Sequence, residues 1–187
     1  VGMEGASSID VSMLKGKKLL NMDSEEEGIM LASCAGGCSS RVTLKLDKNK
    51  VTGTKLSITL SGLTGGHSGV EIDKGRGNAN VLMSRILRDV ITDNNVYLAA
   101  FNGGRKDNAI PRECMAEIIV AADKAADVKA AIENIAKEIK EEFATSDADL
   151  KCVIDISEGC SAEAVTYEDS TRAVSLIQAL PNGIMRM

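Results

Sequence analysis

The single histidine of the chain, His67, lies in Gly62-Leu63-Thr64-Gly65-Gly66-His67-Ser68-Gly69. Glycines at 65, 66 and 69 let the backbone take positive φ and approach another molecule closely. A bare imidazole on such a loop can donate a hydrogen bond to an anion or to a developing oxyanion. Read alone, it is equally a surface histidine on a flexible turn. Asn108 precedes Ala109-Ile110-Pro111, so its amide stands just before a proline-stiffened segment. With His67 it could bind a carboxylate or carbonyl oxygen; read alone, it is a turn residue making its own local hydrogen bond. Asp23-Ser24-Glu25-Glu26-Glu27-Gly28 crowds four carboxylates into five residues. Like charges so close either face solvent or share a divalent cation. A zinc site needs about three or four protein ligands, so with one histidine the chain does not assemble a dinuclear site by itself.

These residues need a frame. Lys17 to Asp23 is a short apolar run ending in a carboxylate, and 29–33 reads as an apolar strand. Ala35-Gly36-Gly37-Cys38-Ser39-Ser40 is small and polar, as a hinge or domain boundary is. Val42 to Leu46 and Lys55 to Leu60 alternate with period 2, as half-buried strands do. Leu82, Ile86 and Val90, flanked by Leu87 and Ile91, predict a helix over 79–93. Strands over 96–101 and 112–121 follow, with the polar turn 102–108 between them. A second helix over 124–143 carries Val128, Ile132, Ile135, Ile139 and Phe143 on one stripe, with Asp123 at its cap position. A strand over 150–156 follows. A last helix starts at Thr166-Tyr167-Glu168-Asp169 and stops at Pro181-Asn182-Gly183.

The fold class is therefore α+β, with the strand-helix-strand-strand-helix-strand order of the ferredoxin-like split arrangement. In that topology the first two strands run parallel and the third antiparallel to them. The end of the first strand then shares a sheet edge with the turn joining the second and third, which puts His67 beside the segment carrying Asn108. Gly75-Arg76-Gly77-Asn78-Ala79-Asn80 resembles a phosphate-cradling loop only superficially, because no suitably spaced strand leads in and no lysine follows. It reads as the lead-in to the first helix, with Asn78 or Asn80 near the cap.

Composition narrows the function classes. Of 187 residues 44% are hydrophobic but only 2% aromatic, so the core is aliphatic. No apolar run approaches the ~20 residues of a membrane span. The net charge of −5 offers no clustered basic face for nucleic acid. Five cysteines at irregular spacing do not form a secreted disulfide framework and point to a reducing, cytoplasmic setting. Cys34 and Cys38 could form a redox pair, although buried free thiols are the simpler expectation.

Several segments together resemble one family. They are the run from Leu19 to Gly28, Ser33-Cys34-Ala35-Gly36-Gly37, Gly62 to Gly69, Gly75 to Ala79, Asp107-Asn108-Ala109-Ile110-Pro111-Arg112-Glu113 and Ala179-Leu180-Pro181-Asn182-Gly183. In order and type they are similar to the bacterial aminoacyl-histidine dipeptidases, within the wider co-catalytic zinc peptidases. The resemblance implies a cytoplasmic two-domain enzyme hydrolysing Xaa-His and related carnosine-like dipeptides with two zinc ions. An inserted ferredoxin-like lid would close on its catalytic domain. It implies that residues 1–37 are the edge of that catalytic domain and the hinge. Residues 38–187 are then the lid, with a core over about 54–157 and a further helix over about 167–180. By the same resemblance Asp23 ligates one zinc, His67 polarises the scissile carbonyl and stabilises the oxyanion, and Asn108 holds substrate. A homodimer through the lid is also implied.

The departures bear on activity. The family's Glu-Glu pair before the Val1-Gly2-Met3-Glu4-Gly5-Ala6 stretch, its upstream His and Asp ligands and its downstream His are absent. The expectation is an inactive fragment of a longer enzyme that binds no zinc by itself. Two rivals stand: a non-catalytic ferredoxin-like module for dimerisation or amino-acid binding, and the lid of a sister tripeptidase or deacylase.

Overall fold

The computed structural model describes residues 4–20, 22, 27–32 and 36–186. Contacts divide the chain into two units, 1–42 and 43–187. In the first, a short helix α1 (Glu4–Ser7) is followed by a 3-10 turn (Val11–Met13), where the Asp10 carboxylate accepts from the Ser12 N–H. The strand expected over 29–33 does not form over its described residues 29–32. No neighbouring strand shares its ladder there, and Met30 and Leu31 stand almost fully exposed. The carboxylate run from Asp23 to Glu26 lies outside the described residues, as does Cys34. Cys38 is exposed, which corrects the expectation of a buried thiol there.

The second unit is built on β1 (Lys48–Ser61), β3 (Tyr97–Gly103), β5 (Cys114–Val120) and β6 (Lys151–Val165), with α2 (Ala79–Asp93), α3 (Ala125–Glu142) and α4 (Tyr167–Ala179). Two short strands, β2 (Gly66–His67) and β4 (Ala109–Ile110), lie off the main sheet. The main sheet runs β3-β5-β1-β6, every neighbouring pair antiparallel. The result is a mixed α/β unit with the predicted order of long elements.

Alternation in β1 sends Leu56, Ile58 and Leu60 into one fully buried cluster with Leu82, Met83, Ile86 and Leu87 of α2 and Val128, Ile132 and Ile139 of α3. Each such side chain contributes about 1.5–3 kcal/mol on burial. Asn78 caps α2, its Oδ1 accepting from the Asn80 and Val81 N–H groups, and Thr166 Oγ1 caps α4 by accepting from Asp169 N–H.

Two local expectations fail. Asp123 does not cap α3: it sits inside a 3-10 turn (Ala122–Lys124) that leads in through Lys124, without a side-chain cap. The stretch 42–46 is not a strand. Leu44 and Leu46 pack half-buried against the core, but the ladder begins only at Lys48, opposite Val165. The two long strands also outrun their predicted lengths, because β1 and β6 pair with each other along nearly their whole extent.

Candidate functional site

Where β1 ends at Ser61, Gly62 turns the chain at φ +81, and a Cβ there would lie 2.0 Å from the Asp149 carbonyl oxygen. The loop then returns along β2, where Gly66 pairs with Ile110 and His67 with Ala109. The Ser68 N–H donates to the Asn108 carbonyl at 3.0 Å. The structure thus brings His67 and Asn108 to one edge, both exposed, and Asn108 occupies a turn.

The imidazole has a defined orientation. Its Nδ1 accepts from the Gly69 N–H at 3.0 Å and the Val70 N–H at 3.2 Å. An accepting Nδ1 assigns the proton of the neutral ring to Nε2. That N–H has no partner among the described residues.

The loop behind the ring is braced by ionic and backbone contacts. The His67 N–H donates to Glu71 Oε2 at 2.9 Å, and Glu71 Oε1 pairs with Arg76 Nη1 at 2.9 Å. Arg76 Nη1 also donates to the Gly65 carbonyl. The His67 N–H and the Arg76 guanidinium together hold the Glu71 carboxyl below its ordinary range. Arg112 Nε donates to the Leu63 carbonyl at 3.1 Å, and a Cβ on Gly65 would strike the Arg112 side chain at 2.2 Å.

Asp147 closes the stem of the loop. Its Oδ1 accepts from the Thr64 N–H at 2.8 Å and its Oδ2 from the Gly77 N–H at 2.8 Å. The Ser146 hydroxyl adds a third bond to Oδ2 at 2.9 Å. Asp147 is fully buried. Burial pushes its carboxyl up, but the donors from Gly77, Thr64 and Ser146 outweigh it and hold the group below the usual carboxylate range. The sequence reading missed Asp147, Glu71, Arg76 and Arg112. Only the loop's unusual glycine content hinted that something must pin it.

Beside this loop a groove of about 830 Å³ opens between the start of α2 and the 103–111 segment. Arg76, Arg105, Lys106, Asn78 and Ser68 are among the residues lining it. Arg76 is paired with Glu71 and Arg105 with Glu113, and Asp107 also lines the groove, so Lys106 is the lining cation without an ion-pair partner among the described residues. Among the described residues no group of three or more His, Cys, Asp or Glu could hold a metal ion. The described residues therefore do not fit a zinc centre, and Asp23, expected as a ligand, lies outside them.

Residues 58–147, which carry this fold and loop, match the peptidase dimerisation domain family. The chain is 38% identical over 187 residues to the cytosol non-specific dipeptidase of Escherichia coli K12, covering 99% of this chain and 38% of that protein. In structure it is similar to the aminoacylhistidine dipeptidase of Vibrio alginolyticus, with a TM-score of 0.72 at 30% identity over 77% of this chain and 30% of that one. The resemblance drawn from the motifs is borne out: residues 58–147 match that domain, and the relatives are dipeptidases. The chain spans 38% of the length of the first relative and 30% of the second.

Proposed function

We propose that this chain is the lid segment of a cytoplasmic dipeptidase that hydrolyses Xaa-His and related dipeptides, and that His67 is the catalytic group it supplies. The supporting observation is the imidazole itself: exposed, with Nδ1 occupied by two backbone amides and the Nε2–H left for an incoming oxygen. On that reading the Nε2–H donates to the scissile carbonyl and binds it more strongly as negative charge develops, and the fixed loop spares reorganisation at that moment. Asn108, at the same edge, helps hold the substrate. Lys106, which has no ion-pair partner among the described residues, attracts its carboxylate into the groove.

Two zinc ions, one ligated by Asp23, complete the proposal for the whole protein. They would supply Lewis-acid activation of water, and the described residues hold no cluster that could bind them. Residues 1–37, with Leu19, Leu20 and Met30 left exposed, belong on this reading to the edge of the catalytic domain and the hinge. Residues 38–187 form a ferredoxin-like lid. The match to a dimerisation domain supports a homodimer through that lid. No helix among the described residues is long and apolar enough to cross a membrane.

The test is expression of the full reading frame with zinc and an assay on a dipeptide panel including β-alanyl-histidine. His67→Ala should lower kcat by roughly 10²–10³ with bound zinc unchanged. Equal loss of activity and zinc, or no loss of kcat, refutes the role. A full reading frame that binds amino acids or dimerises without hydrolysing any dipeptide favours the non-catalytic module.

A further inference from the structure

We infer that Asp147 is a positioning residue for His67: one buried carboxylate holds both ends of the loop, at Thr64 and Gly77, and so fixes where the imidazole sits. The inference rests on the proposed role of His67 but is tested apart from it.

The hydrogen bonds form a closed circuit. From Asp147 it runs to the Thr64 N–H, along the chain to the Gly65 carbonyl, across to Arg76 Nη1, and from neighbouring Gly77 N–H back to Asp147. Glu71 ties the circuit to the ring-bearing residue, pairing with Arg76 on one oxygen and accepting from the His67 N–H on the other. A second strut runs from Thr64 Oγ1 to the Ser146 carbonyl at 2.8 Å.

Only a carboxylate suits the junction. It offers an acceptor to each of two N–H groups that approach from different parts of the chain, whereas an amide would turn its own NH₂ toward one of them. Asp147 itself is fixed independently of the loop, since its N–H donates to the Phe143 carbonyl at 2.8 Å and its carbonyl accepts from Leu150 N–H at 2.9 Å. The anchor therefore belongs to the α3–β6 connection and the core, and the loop hangs from it.

Because His67 is the only histidine, its ring resonances are read without overlap by NMR of the chain labelled with ¹⁵N and ¹³C. In Asp147→Asn, the Gly69 and Val70 amide signals should move and the His67 ring nitrogens should shift toward a mixture of both tautomers. Asp169→Asn alters another buried carboxylate, which accepts from the Asp47 N–H at 2.7 Å away from the loop, and should leave those signals in place. A folded Asp147→Asn chain with unmoved His67, Gly69 and Val70 signals overturns the inference. Should that variant not fold, Ser146→Ala removes one donor from Oδ2 and must move the same signals less far; no movement there also overturns it. In the intact enzyme, Asp147→Asn should lower kcat roughly ten- to a hundredfold, with KM changed by less than about twofold. If the signals move while kcat holds, Asp147 positions the loop and the catalytic role of His67 falls instead.

Discussion

Replacing Asp147 by alanine measures how much of the domain's stability the loop clamp carries. The substitution strips two backbone N–H groups, those of Thr64 and Gly77, of their acceptor, and the Gly77 bond is buried. A buried donor left unpaired costs about 1–3 kcal/mol, and bonds to a charged acceptor lie at the upper end of the hydrogen-bond range. Water reaches the Thr64 end more easily, so the total should be about 2–5 kcal/mol, a large part of a domain's usual ~5–15 kcal/mol. Guanidinium denaturation of wild type and Asp147→Ala at neutral pH reads the difference directly. The sign of its pH dependence follows from the depressed carboxyl. Stability from a carboxylate whose folded pKa is lowered is present in full above the unfolded value near ~3.9 and is lost as pH falls through the folded one. The gap between the two proteins should hold constant from pH 7 to about pH 5 and shrink below about pH 4. A gap under about 0.5 kcal/mol at neutral pH, or one equally large in acid, refutes the clamp.

Other outcomes follow from the same structure. Gly62→Ala forces a left-handed residue and a Cβ against the Asp149 backbone, so a thermal melt should show a loss of more than about 2 kcal/mol; a neutral result contradicts the turn described for the end of β1. Ile132→Ala opens the fully buried core and should cost about 2–5 kcal/mol in a denaturant melt. Arg85→Ala removes an exposed ion pair to Glu142 at 2.8 Å and should cost under about 1 kcal/mol, less still at high salt. Alkylation of the native chain, mapped by mass spectrometry, should mark exposed Cys38 and spare Cys114, whose thiol burial pushes up to about 12. Equal labelling at both would mean that β5 opens freely.

The sequence carried the long helices and the edge shared by His67 and Asn108, because those rest on local periodicity and on one topological rule. α2 falls on its predicted bounds, since the Asn78 cap and the Leu82, Ile86, Val90 repeat act within a few turns. Features that depend on distant partners were not legible. β1 and β6 extend each other by mutual pairing, and neither strand alone announces that length. Leu44 and Leu46 alternate like a strand yet pack against the core without joining a ladder. Asp147 and Asp149 stand two positions apart in an unpatterned polar segment, one fully buried and the other exposed. Nothing local separates them; the difference arises only when the loop folds back over the α3–β6 connection.

The proposed role of His67 depends on which of its ring nitrogens faces the reacting carbonyl. A crystal structure of the full-length enzyme with a phosphinate analogue of the tetrahedral intermediate should place Nε2 about 2.7–3.1 Å from a phosphinyl oxygen, with Nδ1 still bonded to the Gly69 and Val70 amides. A ring turned away from the inhibitor, or presenting Nδ1 to it, would contradict the account.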